Sequence, residues 1–249
     1  MKSCVRFYFR PRTPTQFYAE GVRSQATLDD SDYPGAHCPV PVFLLFDSSE
    51  VLTRADCRFS KGNPRLGGTL YSSAKELKAL PWNLVYHNTR HDPRRREIPY
   101  HKNAEVLIPD MLALDALKYI ICRSRAEKDT LLHLLPVAAW EEYHSRTSST
   151  QRISLYFRKH TFVKTVRLSG ERCSFEFSSE TASPGPFCLH VELLSQAGQL
   201  VYHKDEYWTD SRDHQLALKM VRPLGDYDVR LTLDDRLAYA GHYCEEIPF

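Results

Sequence analysis

The sequence predicts two structural parts, an α+β part followed by an all-β immunoglobulin-like sandwich. Residues 1–143 mix apolar strand patterns with capped helix patterns, and residues 144–151 are polar and rich in Ser and Thr. Residues 152–249 alternate with the two-residue period of short strands. We therefore predict a first domain at 1–143, a linker at 144–151 and a β-sandwich domain at 152–249.

The strands of the first part are predicted from apolar runs and from the prolines that end them. Residues 5–9 alternate as an aromatic strand, and Pro11 and Pro14 end it because proline cannot donate to a β-ladder. Residues 40–46 are almost entirely apolar, which predicts a fully buried strand.

Two helices and a long loop are predicted between and after these strands. Residues 72–80 have the pattern of a helix that is capped by one of the two serines at its start. Residues 83–102 are charged and are predicted to form a loop. Residues 126–142 predict a further helix, which Pro136 interrupts.

Eight short segments with strand periodicity follow the predicted linker. Their number and regular spacing predict the sandwich, and none of them carries a recognisable catalytic motif. The segments are residues 152–158, 163–168, 173–178, 187–194, 199–204, 214–220, 226–233 and 236–243.

The charges are unevenly distributed although the net charge is only +2. Residues 54–102 contain eleven Lys or Arg residues and four Asp or Glu residues, a local balance of +7. Such a concentration of positive charge favours a polyanionic partner, either nucleic acid or a dinucleotide. The alternative is a solvated charged face without a ligand.

The cysteines and the hydropathy pattern predict a cytoplasmic protein. Seven cysteines occur without any Cys-x-x-Cys spacing and without a signal peptide before them, which favours free thiols in a reducing compartment. No apolar run reaches the roughly eighteen residues that a membrane-spanning helix needs, so no membrane association is predicted.

Glu105 is the candidate catalytic residue because of its position in the pattern. It follows the basic loop and directly precedes the apolar run Val106-Leu107-Ile108, which predicts a buried strand that Pro109 ends. A glutamate at the edge of an apolar wall can stabilise a developing sugar cation or orient a ribose hydroxyl. The alternative is a solvated glutamate on an edge strand.

Other catalytic and metal-binding patterns are weak. No glycine-rich phosphate loop and no nucleophile elbow are present. His87 and His91 have a spacing that could hold a metal on a helix, but the residues around them favour a loop. We therefore predict no metal site.

A basic and aromatic cluster favours single-stranded nucleic acid over duplex, because unpaired bases need flat stacking partners. It consists of Arg94, Arg95, Arg96, Trp82, Tyr86 and Tyr100. The alternative is a solvated basic loop.

Four segments, in order over about residues 4–125, resemble the DarT family, single-stranded DNA ADP-ribosyltransferases of toxin–antitoxin systems. The segments are Phe7-Tyr8-Phe9-Arg10-Pro11-Arg12-Thr13-Pro14, Leu80-Pro81-Trp82, Asp92-Pro93-Arg94-Arg95-Arg96 and Lys102-Asn103-Ala104-Glu105-Val106-Leu107-Ile108-Pro109.

The resemblance implies an ADP-ribosyltransferase-like mixed sheet, transfer of ADP-ribose from NAD to a base of single-stranded DNA, in particular thymidine, and a macrodomain antitoxin as partner. It also implies that Glu105 is the catalytic glutamate and that a set of basic and aromatic residues binds DNA. That set is Arg12, Trp82, Arg94, Arg95, Arg96 and Lys102.

One departure from the family pattern concerns the N-terminus. In the family, a part with a His-x-Thr motif and an arginine for NAD precedes the Phe-Tyr-Phe segment, whereas this sequence begins just before that segment. We therefore expect an N-terminally truncated domain with weak NAD binding, and the residues that bind NAD stay unassigned. The alternative is a non-catalytic remnant that binds single-stranded DNA or protein.

Overall fold

The computed structural model describes residues 3–29, 35, 37–88, 94–150, 154–179, 181–182, 185–208 and 215–245. The strands are β1 (Cys4–Tyr8), β2 (Val42–Phe46), β3 (Arg58–Phe59), β4 (Glu105–Pro109), β5 (Leu117–Cys122), β6 (Thr147–Ser149), β7 (Val163–Leu168), β8 (Arg172–Phe177), β9 (Phe187–Ser195), β10 (Leu200–Trp208), β11 (Gln215–Lys219), β12 (Tyr227–Leu233) and β13 (Arg236–Tyr243).

The α-helices are short. They are α1 (Pro14–Ala19), α2 (Gln25–Asp29), α3 (Ser48–Leu52), α4 (Ala74–Lys78), α5 (Trp82–Val85), α6 (Glu97–Lys102), α7 (Arg125–Leu134) and α8 (Val137–Tyr143). Single 3₁₀ turns occur at Pro64–Leu66, Leu114–Ala116 and His144–Arg146. The chain divides into two compact units: unit 1 contains residues 1–18 and 45–118, and unit 2 contains residues 19–44 and 119–249.

Unit 1 is built on an antiparallel sheet with the strand order β1-β4-β3. Val106 and Ile108 of β4 point to one face, where they join an apolar cluster with Phe59 and Phe7. The opposite face carries the alternate residues, as the two-residue period of a strand requires. Glu105 therefore lies on the central strand of this sheet and on the face opposite the apolar cluster.

The sequence predicts some of the helices of unit 1 but not all of them. Ser73 caps α4 and forms a capping box with Glu76, as predicted. The prediction of a continuous loop at 83–102 is wrong, because helix α6 occupies its last six residues. Pro99 is the third residue of α6, where the backbone N–H would have no partner within the helix in any case.

Unit 2 contains two antiparallel sheets, with strand orders β10-β9-β12-β13 and β11-β8-β7. Alternate residues of their strands are buried, as in β12, where every second residue from Tyr227 to Leu233 is buried. Side chains from both sheets share one apolar cluster, which includes Phe175, Leu189 and Leu231. Seven strands thus enclose the main core of unit 2.

A further sheet has the order β2-β5-β6, and β5 and β6 run parallel. Strand β6 lies within residues 144–151, which the sequence predicts as a linker. The prediction that 40–46 is a fully buried strand is wrong, since Val42 and Leu44 are exposed. The predicted strand at 152–158 is also wrong for residues 154–158, which form a turn and irregular backbone.

The α+β class of the first part is confirmed by these helices and by the antiparallel and parallel strand pairs. The domain boundaries at 143 and 152, and the expected N-terminal truncation, stay predictions. Every helix in the described part of the chain is too short or too polar to span a lipid bilayer.

Candidate active site

Glu105 is a buried carboxylate whose backbone is fixed on both sides. Its side chain is 5% exposed. Strand β1 pairs with β4 so that Tyr8 lies directly opposite Glu105. On the other side, the N–H of Glu105 donates to the Ser60 hydroxyl at 3.0 Å, and the Ser60 N–H donates to the Glu105 carbonyl at 2.9 Å. The solvated edge-strand glutamate considered above is therefore wrong.

Arg6 is the cationic partner of this carboxylate. Its Nη1 donates to Oε2 of Glu105 at 3.2 Å. The register explains the contact, because Arg6 lies two residues before Tyr8 on β1 and hence on the same face as Glu105. Among the residues that the structure describes, none donates a hydrogen bond to the second oxygen, Oε1.

Ser60 links Glu105 to the turn that follows β3. Its hydroxyl donates to the carbonyl of Gly62 at 2.6 Å while it accepts from the Glu105 N–H. The ring of Tyr100, on helix α6, lies where a Cβ at position 62 would stand, so only glycine fits there without a shift. Ser60 and Gly62 thus connect Glu105 to helix α6 through a series of contacts.

Two opposing effects act on the ionisation of Glu105. Burial raises its pKa because a charged carboxylate loses hydration, and the positive charges of Arg6 and Arg65 act in the opposite direction. Burial is the larger effect, so the pKa of Glu105 is raised from its ordinary value. The site thus holds a carboxylate that the charges of Arg6 and Arg65 partly stabilise in its charged form.

Three cations of unit 1, Arg10, Arg12 and Lys102, are close enough to interact electrostatically. Burial lowers the pKa of Lys102, and the charges of Arg10 and Arg12 lower it further. Burial and then the charge of Arg12 likewise lower the pKa of Arg10. The three cations therefore form one electrostatic group.

Arg10 also organises the segment after α5. Its guanidinium donates to the carbonyls of Val85 and His87, both at 2.9 Å, and to Oδ1 of Asn88 at 3.2 Å. Its neighbour Arg12 has a φ of 59°, which is uncommon for a residue with a side chain. The Arg-Pro-Arg segment is therefore a sharply bent connection that Arg10 anchors.

An aromatic stack lies on the same segment. The Trp82 ring packs edge-on against Phe9 at 5.4 Å and stacks on Tyr86 at 5.8 Å, while the Tyr86 hydroxyl donates to the Phe9 carbonyl at 2.9 Å. Trp82 is half-buried and belongs in part to the core, whereas Tyr86 is 50% exposed. The stack presents an accessible aromatic face.

The predicted arginine run lies on the surface. Arg94, Arg95 and Arg96 are all exposed, and Arg95 Nε donates to Glu97 at 3.0 Å. The preceding part of the loop, residues 89–93, lies outside the described residues, and so does His91 of the predicted histidine pair.

Of the predicted site residues, Arg12 and Lys102 are brought into one electrostatic group. Arg6, Arg10 and Ser60 take part in the site but are absent from the sequence-based predictions. Arg10 lies in the Phe7–Pro14 segment of the family motif, so the sequence could have indicated it as a site residue. The sequence gives no signal for Arg6 or Ser60. The role of Arg6 depends on strand register, and that of Ser60 depends on a contact across 45 residues.

The site is thus a buried glutamate on the central strand of an antiparallel sheet, paired with Arg6. The model of the DarT family, described as ssDNA thymidine ADP-ribosyltransferase, matches residues 1–157. The chain belongs to this family, and the predicted resemblance is confirmed.

Similar solved structures include the DarT of Thermus sp. 2.9. Its complex with carba-NAD⁺ is 18% identical over 62% of this chain and 74% of that chain, with a TM-score of 0.48. Its complex with ADP-ribosylated ssDNA is 20% identical over 62% of this chain and 69% of that chain, also with a TM-score of 0.48.

A further similar structure is CopC from Methylosinus trichosporium OB3b. It is 15% identical over 36% of this chain and 99% of that chain, with a TM-score of 0.26. No curated protein matches the chain in sequence.

Proposed function

We propose that this chain transfers ADP-ribose from NAD⁺ to thymidine in single-stranded DNA, with Glu105 as the catalytic residue. The observation that carries the proposal is the buried Glu105 carboxylate, paired with Arg6 through Oε2. Membership in a family of DNA-modifying ADP-ribosyltransferases supplies the reaction class.

In the transfer, the bond between the ribose carbon and the nicotinamide nitrogen breaks, and its electron pair leaves with nicotinamide. A bond forms between the same ribose carbon and the thymine base, which loses a proton. The ribose carries positive charge as nicotinamide departs. A fixed carboxylate in a site of low dielectric stabilises that charge more than water does, because it needs no reorganisation.

The two oxygens of Glu105 have separate roles in this proposal. Oε2 is held by Arg6, which fixes the orientation of the carboxylate. Oε1 accepts a ribose hydroxyl of NAD⁺ and faces the developing charge. After the new bond forms, the carboxylate assists removal of the proton from the base.

The cations and the aromatic stack hold the polynucleotide. We propose that Arg12, Lys102 and the run of Arg94, Arg95 and Arg96 contact phosphates, since guanidinium and ammonium groups pair with phosphate oxygens. We propose that Trp82, together with Tyr86, stacks on an unpaired base, which the exposure of Tyr86 supports.

A Glu105→Gln variant tests the catalytic role. The amide keeps the shape of the side chain but removes its charge, so transfer of ADP-ribose to a thymidine oligonucleotide should fall by about 10²–10⁴-fold. The reaction is followed by the mass of the oligonucleotide. The matched control is Glu50→Gln, an exposed glutamate of the same unit, which should keep normal activity.

The outcomes separate the alternatives. Transfer at the normal rate by Glu105→Gln would remove this residue from the chemistry. If the unaltered chain binds the oligonucleotide but transfers nothing when NAD⁺ is in excess, the non-catalytic DNA-binding alternative replaces the proposal.

Salt dependence tests the phosphate contacts. The logarithm of the affinity for single-stranded DNA should fall with the logarithm of the salt concentration, with a slope of about 0.7 per phosphate neutralised. Replacing Lys102 with Ala should weaken binding and reduce that slope by about one contact. Lys219→Ala, an exposed cation of unit 2, is the control and should leave the slope unchanged.

Three further proposals concern the rest of the molecule and its surroundings. We propose that residues 152–249 form an immunoglobulin-like binding module after the 144–151 linker, which the seven strands around one cluster support. We propose a macrodomain antitoxin as partner, tested by co-purification with candidate macrodomains. We propose action in the cytoplasm, because all seven cysteines are free of disulfides.

A further inference from the structure

Carboxylate, imidazole and thiol side chains lie close together at the open end of the β12–β13 hairpin. Asp228 of β12 lies directly opposite His242 of β13. Asp226 and Cys244 are each two residues further toward the same end of the pair. Because side chains two residues apart project to the same side of a strand, the ladder brings these groups together on one face.

Three of these groups converge closely enough to share one ligand. A carboxylate oxygen of Asp226, a ring nitrogen of His242 and the sulfur of Cys244 all lie within 4.8 Å of one another. The donors of a tetrahedral zinc site are separated by about 3.3–3.8 Å, as metal–ligand lengths of about 2.0–2.3 Å require. Shifts of about 1 Å in the exposed side chains of His242 and Cys244 close the difference.

Three hydrogen bonds orient His242 and Asp226 in the way that metal ligands are usually oriented. His242 Nδ1 lies 2.8 Å from Oδ1 of Asp228, so Nδ1–H donates to a carboxylate and Nε2 carries the lone pair. Asp226 is fixed by Gln196 Nε2 at 2.6 Å and by the N–H of Glu245 at 2.7 Å. The imidazole and the carboxylate therefore each have a hydrogen-bond partner that orients them before any ion arrives.

We propose that Asp226, His242 and Cys244 form a Zn²⁺ site, with Asp228 as the positioning residue for the imidazole. A thiolate, an imidazole and a carboxylate are the three donor types that bind zinc, a borderline-soft ion, whereas Ca²⁺ and Mg²⁺ require sets of oxygen ligands. Three protein donors leave the fourth position of the tetrahedron to water. The site is separate from the Glu105 chemistry and lies in unit 2.

The site also has a mechanical role in this proposal. Asp226 directly precedes β12 and Cys244 directly follows β13. A bound ion therefore joins the entry of one strand to the exit of the next and keeps the final strand in register. Because the ion binds the folded hairpin and not the open one, it stabilises unit 2.

The experiment measures binding of the metal alone to the full chain. After treatment with a chelator, the protein is titrated with Zn²⁺, and in parallel with Co²⁺, whose absorption reports a bound thiolate. We expect about one equivalent of metal, a thiolate-to-cobalt band and a higher melting temperature with zinc. Cys244→Ser and His242→Ala should abolish the band and weaken zinc binding.

Two controls make the result specific. Cys188→Ser removes another exposed cysteine of unit 2 and should leave binding unchanged. Asp228→Asn keeps all three ligands and should weaken binding by about 10–100-fold, as loss of an outer carboxylate does. A ligand variant that melts normally without metal shows that the fold is intact.

Two results would overturn the proposal. One is the absence of stoichiometric zinc binding at about 100 µM metal, well above the range of zinc-dependent folding. The other is binding that both ligand variants retain, which would place the metal elsewhere.

The sequence-based prediction of no metal site did not consider Asp226, His242 and Cys244. That prediction weighed only the four-residue spacing of His87 and His91, whereas His242 and Cys244 are two residues apart on a strand. Strand neighbours of this spacing share a face, but their third partner is set by the pairing of β12 with β13.

Discussion

Two opposing effects determine the charge state of the Glu105 side chain. Burial favours the neutral carboxyl, and the Arg6 guanidinium favours the carboxylate. Because the pKa of Glu105 is raised overall, the proton leaves at a higher pH than from a solvated glutamate. Activity that needs the carboxylate must therefore decline on the acid side of the pH profile.

Replacing Arg6 with Gln should move that acid limb to higher pH. Loss of the positive charge removes an influence that lowers the pKa of Glu105, so the carboxyl stays protonated to a higher pH. The measurement is the pH dependence of kcat/KM for ADP-ribose transfer, with Arg6→Lys expected to restore much of the original profile.

Lys75→Gln is the control for this prediction, because it removes one exposed positive charge of α4. Its pH profile should match that of the unaltered chain. An acid limb that does not move in Arg6→Gln would mean that the ion pair has no influence on the ionisation that limits activity.

The sequence indicates Glu105 as a candidate site residue but does not indicate its partner, Arg6. A glutamate before three apolar residues is visible in the one-dimensional pattern, and the family motif supports it. Arg6 pairs with Glu105 across 99 residues, and a shift of one residue in register would turn it to the other face. Register is set by packing of the whole sheet, which no local pattern records.

Elements with strong local signals are the ones that sequence reasoning predicts well. Strand β4 begins at Glu105, α4 begins after its serine cap, and the Pro136 break separates α7 from α8. Helix α6 was missed because its turn signals and Pro99 favour a loop, whereas contacts with Gly62 and Asn63 favour the helix. Tertiary contact overrides propensity in such short elements.

Gly62 gives a prediction at the level of elements. Gly62→Ala should lower the free energy of unfolding by about 1–3 kcal/mol, because the added methyl overlaps the Tyr100 ring on α6. It should also lower transferase activity, since the Gly62 carbonyl accepts the hydroxyl of Ser60, which holds Glu105. Urea denaturation and the oligonucleotide mass assay measure the two effects.

Gly68→Ala is the matched control, because a Cβ there would meet only the Tyr100 hydroxyl at 3.6 Å, an ordinary contact. It should unfold and react normally. If Gly62→Ala is as stable and active as Gly68→Ala, the turn does not position the glutamate.

Unit 2 as a whole depends on a charged group within its interior. Arg123 is fully buried and donates to Glu127 through Nε at 3.1 Å and to the Pro39 carbonyl at 3.0 Å. Glu20, 3.6 Å from Arg123, accepts the N–H groups of Phe157 and Arg158. One cation thus joins segments from residue 20 to residue 158.

Arg123→Met should lower the free energy of unfolding by about 3–5 kcal/mol. The change leaves the Glu20 and Glu127 carboxylates buried without their cation, which costs more than the pair contributes when intact. Arg125→Met, at an exposed position two residues away, should change stability by less than about 0.5 kcal/mol. Urea denaturation of both variants measures the difference.

The pH dependence of this deficit provides a second measurement. Burial already raises the pKa of Glu127, and loss of Arg123 raises it further. The neutral acid tolerates burial, so the stability lost in Arg123→Met should shrink as the pH falls through the raised pKa. A deficit that is constant with pH would contradict the electrostatic explanation.

Helix α7 and strand β13 share a hydrogen bond, in which the Ala240 N–H donates to the hydroxyl of the buried Thr130 at 3.1 Å. Thr130 lies inside the stretch that the family model matches, and Ala240 lies far beyond it. A recombination event that exchanged the terminal strands for foreign ones would separate these two atoms. A chain with such foreign strands is therefore expected to lose the stability that this hydrogen bond provides, about 0.5–1.5 kcal/mol.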